Sequence, residues 1–257
     1  MHLYIDLFGL SIPAYGMMIV LGILIANLVA FIVIKRTKRD INDLIILEAY
    51  CFLGGFFGAK VLYLLISYAE IDWERIVEIE YLSDIMKSGF VFYGGLVGGL
   101  LAVYLAGKLH KVDAEKYVRE FIFLIPFMHG FGRVGCFMAG CCYGTPYDGL
   151  GAVIFPEESF AVPNVSLFPV QLVEAVFLLL ITVGILVLQM KYKWYYTIEL
   201  YLISYGILRF ALEYVRYDAA RGAFAGLSTS QWLSIVLVGF AFWLIWKRIR
   251  ASGGGIT

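Results

Sequence analysis

Apolar residues fall in long blocks separated by short polar connectors. Marking the blocks able to cross about 30 Å of hydrocarbon gives seven, at 10–34, 43–68, 89–107, 119–138, 168–190, 195–214 and 229–246. Each is read as a transmembrane helix, which predicts an all-α integral membrane protein, seven transmembrane helices in one domain over residues 1–250. An odd number of spans puts the termini on opposite sides. Thirteen lysines and arginines sit in the first, third and fifth connectors and the tail, with Lys35, Arg36, Lys38 and Arg39 in the first of them, against four (Arg75, Lys87, Arg216 and Arg221) in the others. The positive-inside rule then predicts the amino terminus outside and the carboxyl terminus cytoplasmic. The opening MHLYIDLFGLSIPAYG lacks a basic n-region and a small-residue cleavage site, so it reads as the approach to the first span, not a removable signal peptide.

The outer connectors have different characters. Residues 69–88 combine Glu70, Asp72, Glu74, Glu78, Glu80 and Asp84 with Trp73 and Tyr81, the make-up of a short amphipathic piece at the interface. The other long one, 141–167, is rich in proline and glycine from Thr145 onward and reads as irregular structure forming a small lid. The tail 251–257, ASGGGIT, is expected to be disordered.

With 61% hydrophobic and 16% charged residues, the 257-residue chain has more apolar surface than a soluble core of that size can hide. The formal net charge is zero, so no global basicity points to nucleic acid, and charges must be read by position.

In this topology the polar residues inside the spans gather at one depth. Tyr15, Lys60, Tyr93, His129, Arg133, Gln171, Glu174, Arg209 and Glu213 all fall in the outer half of the bilayer. Ionisable residues inside spans are expensive and tend to face a bundle interior or a wet cavity. Arg209, Glu213 and Arg216 share one helix face at i, i+4 and i+7, and Gln171 and Glu174 share another. A guanidinium matches phosphate or carboxylate oxygens two at a time, so Arg133 and Arg209 from different spans predict an anionic headgroup as ligand. Structural ion pairing between Arg209 and Glu213 is the competing explanation. The many glycines allow close helix packing, and Gly94–Gly95 at a span entrance also offers backbone N–H groups to an anion. Cys136, Cys141 and Cys142 are spaced C-x4-C-C, which is not a usual zinc spacing. They read as small packing residues, with a disulfide or a reactive thiol as alternatives and no metal or cofactor expected.

The segment GRVGCFMAGCCYG resembles the signature of the prolipoprotein diacylglyceryl transferases, whose commoner form reads G-R-[IV]-G-N-F-x-N-G-E-x-x-G. The likeness extends to A-Y-G at Ala14–Gly16, G-G-x-x-G-x-[RK] at Gly54–Lys60, G-G-L-[IV]-G at Gly94–Gly98, P-x-Q-L-x-E at Pro169–Glu174 and R-F-x-x-E-x-x-R at Arg209–Arg216. The resemblance implies transfer of the diacylglyceryl group from phosphatidylglycerol to the lipobox cysteine of a prolipoprotein, with glycerol phosphate leaving, at the outer leaflet of a bacterial inner membrane. Carried over by position, Arg133 and Arg209 grip the phosphate, Tyr15 contacts the headgroup and Glu213 orients an arginine. Lys60, Gly94, Gly95, Gln171, Glu174 and Arg216 complete the expected substrate-binding set.

The chain departs from that pattern where the proton is handled. Tyr93 stands at the position of a histidine, Cys136 and Ala139 at those of two asparagines, and Cys141 at that of a glutamate. His129, one turn before Arg133, or Tyr93 itself is then expected as general base, with His129 preferred because an imidazole titrates near neutral pH. Two other classes compete. One is a divergent relative that binds an anionic lipid or lipidates a different thiol. The other is a small transporter, against which stand the absence of an internal repeat and the one-sided polar residues.

Overall fold

The computed structural model describes residues 3–7, 9–87, 89–217 and 223–253. Its helices, in chain order, are α1 (Ala14–Thr37), α2 (Ile41–Ile66), α3 (Ile79–Lys87), α4 (Phe92–His110), α5 (Ala114–Phe121), α6 (Leu124–Ala139), α7 (Val170–Tyr192), α8 (Thr197–Leu212) and α9 (Thr229–Gly253). Three small antiparallel pairs accompany them: β1 (Tyr4–Leu7) with β2 (Leu10–Pro13), β3 (Val153–Ile154) with β4 (Ser166–Leu167), and β5 (Ala223–Phe224) with β6 (Leu227–Ser228). Each of the seven predicted blocks is occupied by helix. Four of these helices, α1, α2, α7 and α9, are long and apolar enough to cross a membrane, and α5 with α6 forms a bent pair that adds a fifth candidate. The sixth block holds only 16 helical residues in α8, about 24 Å of rise.

Local sequence explains where helix and block part company. The first block was expected to be helical from residue 10, yet Leu10–Pro13 form the second strand of a hairpin, with Tyr4 opposite Pro13 and Gly9 at φ +82° in the turn. Proline fixes φ for a helix start and has no N–H to lose there, so α1 begins directly after Pro13. The fourth block was expected as one helix, but α5 and α6 meet at 48°. Pro126 is the cause: it cannot donate to the carbonyl of Ile122, and its ring crowds that position, so the helix breaks one turn before it. At the tail, α9 continues through Gly253, and residues 254–257 lie outside those described.

By proximity the residues group into two compact units, one of the segment up to Val33 with Val118 onward, the other of Ile34–Tyr117. In the second unit, α2 and α4 pack through facing glycines. A Cβ on Gly58 or Gly98 would strike the carbonyl oxygens of Gly94 and Gly54 respectively, which are backbone and cannot give way. The acidic connector folds into a 3-10 turn at Arg75–Val77 and the amphipathic α3, which buries Ile85 and exposes Glu80 and Asp84. Lys60, buried on α2, donates its ammonium to the carbonyls of Ile85 at 2.7 Å and Gly89 at 3.2 Å, with the Phe90 ring 4.2 Å away.

In the first unit, α7 runs beside α6 and α8, and α8 runs beside α9. One stripe of α7, Gln171, Glu174, Ala175, Leu178, Thr182 and Ile185, is buried at helical spacing, while Val176, Phe177, Leu180 and Val183 turn outward. The 141–167 connector has its own small core of Phe155, Ala161 and Leu167 against Phe137, Tyr143, Val153 and Val165, so it is more ordered than its composition predicted. The expectation that buried charges occupy one end only is overturned. Arg119 on α5 is bridged at 3.2 Å to the fully buried Glu199 at the start of α8, and Arg248 approaches the same carboxylate at 3.5 Å. Counted as a solvated connector charge, Arg119 is instead buried because Glu199 neutralises it and the Tyr195 ring covers it.

Candidate active site

The polar ends of α6, α7 and α8 converge around one carboxylate. Glu174 has no solvent exposure. Its Oε2 lies 3.0 Å from Nε of Arg133 and 3.9 Å from Nη1 of Arg216, while its Oε1 lies 3.8 Å from Nε2 of His129 and 3.5 Å from the Tyr205 hydroxyl. The spacing of His129 and Arg133 along α6 puts both on the face turned to α7, as four-residue separation requires. The imidazole of His129 also rests edge-on against the Tyr205 ring, 5.2 Å between centroids.

A second arginine pair lies one helix further. Nη2 of Arg209 is 2.6 Å from Oε2 of Glu213 and donates to Oγ of Ser230 at 2.8 Å. Its Nη1 is buried and makes no hydrogen bond, and the same holds for Nε of Arg133 despite the nearby carboxylate. Three guanidinium groups, Arg133, Arg209 and Arg216, thus face two carboxylates, Glu174 and Glu213, which leaves a positive excess. Both Arg133 and Arg209 project their field onto His129 and Tyr205. Buried donors with spare capacity and surplus positive charge are what an anion needs in order to leave water.

The end of α6 adds a third element. Gly140, at φ +74°, terminates the helix and its N–H turns back to the carbonyls of Cys136 and Phe137. The following N–H of Cys141 also reaches the Cys136 carbonyl, at 3.1 Å, and Cys142 adopts φ +59°. Two left-handed residues fold the chain back over the last turn of α6, so the sulfurs of Cys136, Cys141 and Cys142 all come within 4.8 Å of one another. Gln171 donates to the Cys141 carbonyl at 2.8 Å and anchors this turn to α7. Tyr15, near the start of α1, lies within electrostatic reach of Arg133 and all three thiols. A methyl added to Gly135 would come 3.0 Å from its ring and 3.3 Å from its carbonyl oxygen, so glycine is needed there for α1 to approach.

The structure therefore brings together Tyr15, His129, Arg133, Gln171, Glu174, Arg209, Glu213 and Arg216. The remaining expected residues, Lys60, Tyr93, Gly94 and Gly95, belong to the second unit. Lys60 is committed to the carbonyls that close α3, Gly94 and Gly95 face the backbone of α2, and Tyr93 lies on α4 in the other unit, partly exposed. Gly95 also spends its N–H on the Val91 carbonyl, which removes it from the anion cradle expected there. Sequence reasoning missed Tyr205 and Ser230. Tyr205 precedes Arg209 by four residues and was in principle legible as a face-mate, whereas Ser230 carries no local signal.

Comparison with known proteins agrees with the motifs. The family model of the prolipoprotein diacylglyceryl transferases matches residues 2–247. Similar curated proteins include the phosphatidylglycerol–prolipoprotein diacylglyceryl transferase of Clostridium tetani, 36% identical over 237 residues, covering 91% of this chain and 92% of that one. A second enzyme of that name from Clostridium perfringens is 34% identical, covering 91% of this chain and 90% of its own length. The enzyme of that name from Chlorobaculum tepidum is 31% identical, covering 96% of this chain and 90% of its own length.

Proposed function

Because the chain belongs to the prolipoprotein diacylglyceryl transferase family, we infer that it moves the diacylglyceryl group of phosphatidylglycerol onto the cysteine thiol of a prolipoprotein. The observation that carries this reading is the buried Arg209 guanidinium with Nη1 unpartnered, together with a second embedded arginine, Arg133, held by Glu174. A phosphodiester entering between them takes up the free Arg209 donor. As the acceptor sulfur attacks the glyceryl carbon and the carbon–oxygen bond breaks, the electron pair leaves on glycerol phosphate. Negative charge grows on the departing oxygen, and fixed guanidinium groups in a water-poor site stabilise it without reorganising. Glu174 and Glu213 hold the two forks at 3.0 and 2.6 Å, so their orientation is set before the lipid arrives. Arg216 adds charge, Tyr15 flanks the headgroup and Gln171 fixes the turn below it. His129, tied to Glu174 and Tyr205, arranges this cluster.

The wider setting follows the same reading. The chain spans the bacterial inner membrane seven times, amino terminus outside, with the arginine cluster in the outer half where phosphatidylglycerol of the outer leaflet reaches it. The charge asymmetry of the connectors supports this orientation. The test is direct: purified protein is given phosphatidylglycerol labelled in its acyl chains and a lipobox peptide. Label appearing on the peptide with release of glycerol phosphate is expected. Lipid binding without either product would make the chain a lipid-binding relative and overturn the enzyme reading.

A further inference from the structure

The transfer needs a deprotonated acceptor thiol, for which His129 or Tyr93 was expected as base. Nε2 of His129 lies 3.8 Å from Glu174 and its ring rests against Tyr205; a metal-bound thiolate would need no such base. Directly below the arginines lie three thiols that the mechanism has not used. Their sulfurs are within 4.8 Å of one another, and among the described residues no histidine or carboxylate joins the group. Zinc–thiolate bonds of about 2.3 Å in a tetrahedral arrangement put the sulfurs roughly 3.8 Å apart, a spacing that falls inside that limit. All three residues are only partly buried, and none forms a disulfide. Cys136 follows Arg133 by one turn of α6. The C-x4-C-C spacing that argued against a metal loses its force once the left-handed turn at Gly140 and Cys142 is considered.

We propose that Cys136, Cys141 and Cys142 hold a zinc ion through three thiolates, with the fourth position open to the acceptor cysteine of the prolipoprotein. The proposal rests on the transferase reading for its substrate, and on the sulfur geometry for its site. Three protein ligands with one open position is the arrangement of catalytic zinc, and a thiol that coordinates it is ionised outright. The acceptor S–H binds zinc and releases its proton to water. The bound thiolate forms the new carbon–sulfur bond as the carbon–oxygen bond of phosphatidylglycerol breaks, and glycerol phosphate leaves with the electron pair towards Arg133 and Arg209. Zinc stays divalent throughout. Cysteines at the positions of an asparagine and a glutamate in the commoner signature would then supply, through a metal, the activation that those relatives obtain otherwise.

The test uses the full-length protein purified under reducing conditions and loaded with Co2+ in place of zinc. One equivalent is expected to bind with thiolate-to-cobalt charge-transfer bands and tetrahedral d–d bands. Those bands should shift when a lipobox peptide is added and stay unchanged with its serine counterpart. Cys142→Ser should weaken binding by at least about tenfold and lose part of the charge-transfer intensity, while Cys51→Ser, on α2, should leave both unaltered. Chelation should depress transfer from phosphatidylglycerol, and added zinc should restore it. Full transfer after chelation with all thiols reduced would overturn the site. So would a disulfide among the three that forms in place of metal binding. Cobalt binding that responds to the peptide without transfer under any condition would instead sink the transferase reading and leave the metal site standing.

Discussion

Glu174→Gln keeps the volume of a side chain with no solvent exposure and removes one negative charge from the centre of the cluster. At an effective dielectric constant of about 20, its contact with Arg133 at 3.0 Å is worth roughly 5.5 kcal/mol and that with Arg216 at 3.9 Å roughly 4 kcal/mol before desolvation is counted. Desolvation offsets much of this, and breaking a buried pair from one side costs about 3–5 kcal/mol net, because the remaining charge is left without its counter-ion. The variant is therefore expected to unfold more easily in detergent micelles by that amount. Its Arg133 fork is also released, and a misplacement of about 1 Å is enough to lower turnover roughly 100-fold. A second signature separates this electrostatic cause from simple damage. Phosphatidylglycerol brings a phosphate that replaces the missing charge, so it should stabilise the variant more than the parent. Equal unfolding midpoints with and without the lipid, together with transfer within about threefold of the parent, would refute the role given to Glu174.

Further expectations follow from other contacts. Arg133→Ala and Arg209→Ala should each lower transfer by about 10²–10³-fold, the usual cost of one oxyanion donor, while the protein stays folded in the membrane; Arg133→Lys should not recover the loss, because a point charge does not reproduce the fork, and labelled-lipid transfer measures all three. His129→Gln, which deletes a contact to Glu174 but no guanidinium, should weaken phosphatidylglycerol binding by less than about tenfold; a loss of turnover as deep as that of Arg133→Ala would return the role of general base to the imidazole. Gly98→Val would force side-chain atoms onto the Gly54 carbonyl oxygen and should destabilise the α2–α4 pair by at least about 1–3 kcal/mol, measurable as a lower unfolding midpoint, with no comparable effect for Gly184→Ala, which meets open space. In intact cells, a cysteine at Lys38 should resist an impermeant thiol reagent while one at Asp148 reacts; labelling at Lys38 would invert the topology and with it the outer-leaflet site.

Period, sign and local chemistry along the chain account for the helices and for the pairs within one helix. Long apolar blocks require helices because backbone polar groups in hydrocarbon have to be satisfied within the segment. The i, i+4 pairing of Arg209 with Glu213 and the common face of His129 and Arg133 are consequences of helical pitch alone. The break before α6 follows from Pro126, which the reading of 119–138 as one helix passed over. Tertiary structure decided which polar groups meet across helices. Nothing local tells Glu174 that it will face Arg133, Arg216, His129 and Tyr205 at once, or Ser230 that it will receive Arg209. Arg119, a connector charge by position, became a buried partner of Glu199 eighty residues away. Lys60 donates to the carbonyls of Ile85 and Gly89, and Gly94 faces the backbone of α2, contacts that no local pattern announces. The three thiols show the divide most sharply. Their spacing along the chain argued against a metal, yet two residues with positive φ fold that spacing into a triangle of sulfurs. Linear spacing predicts contacts only where the backbone stays regular, and the cysteines sit where it stops.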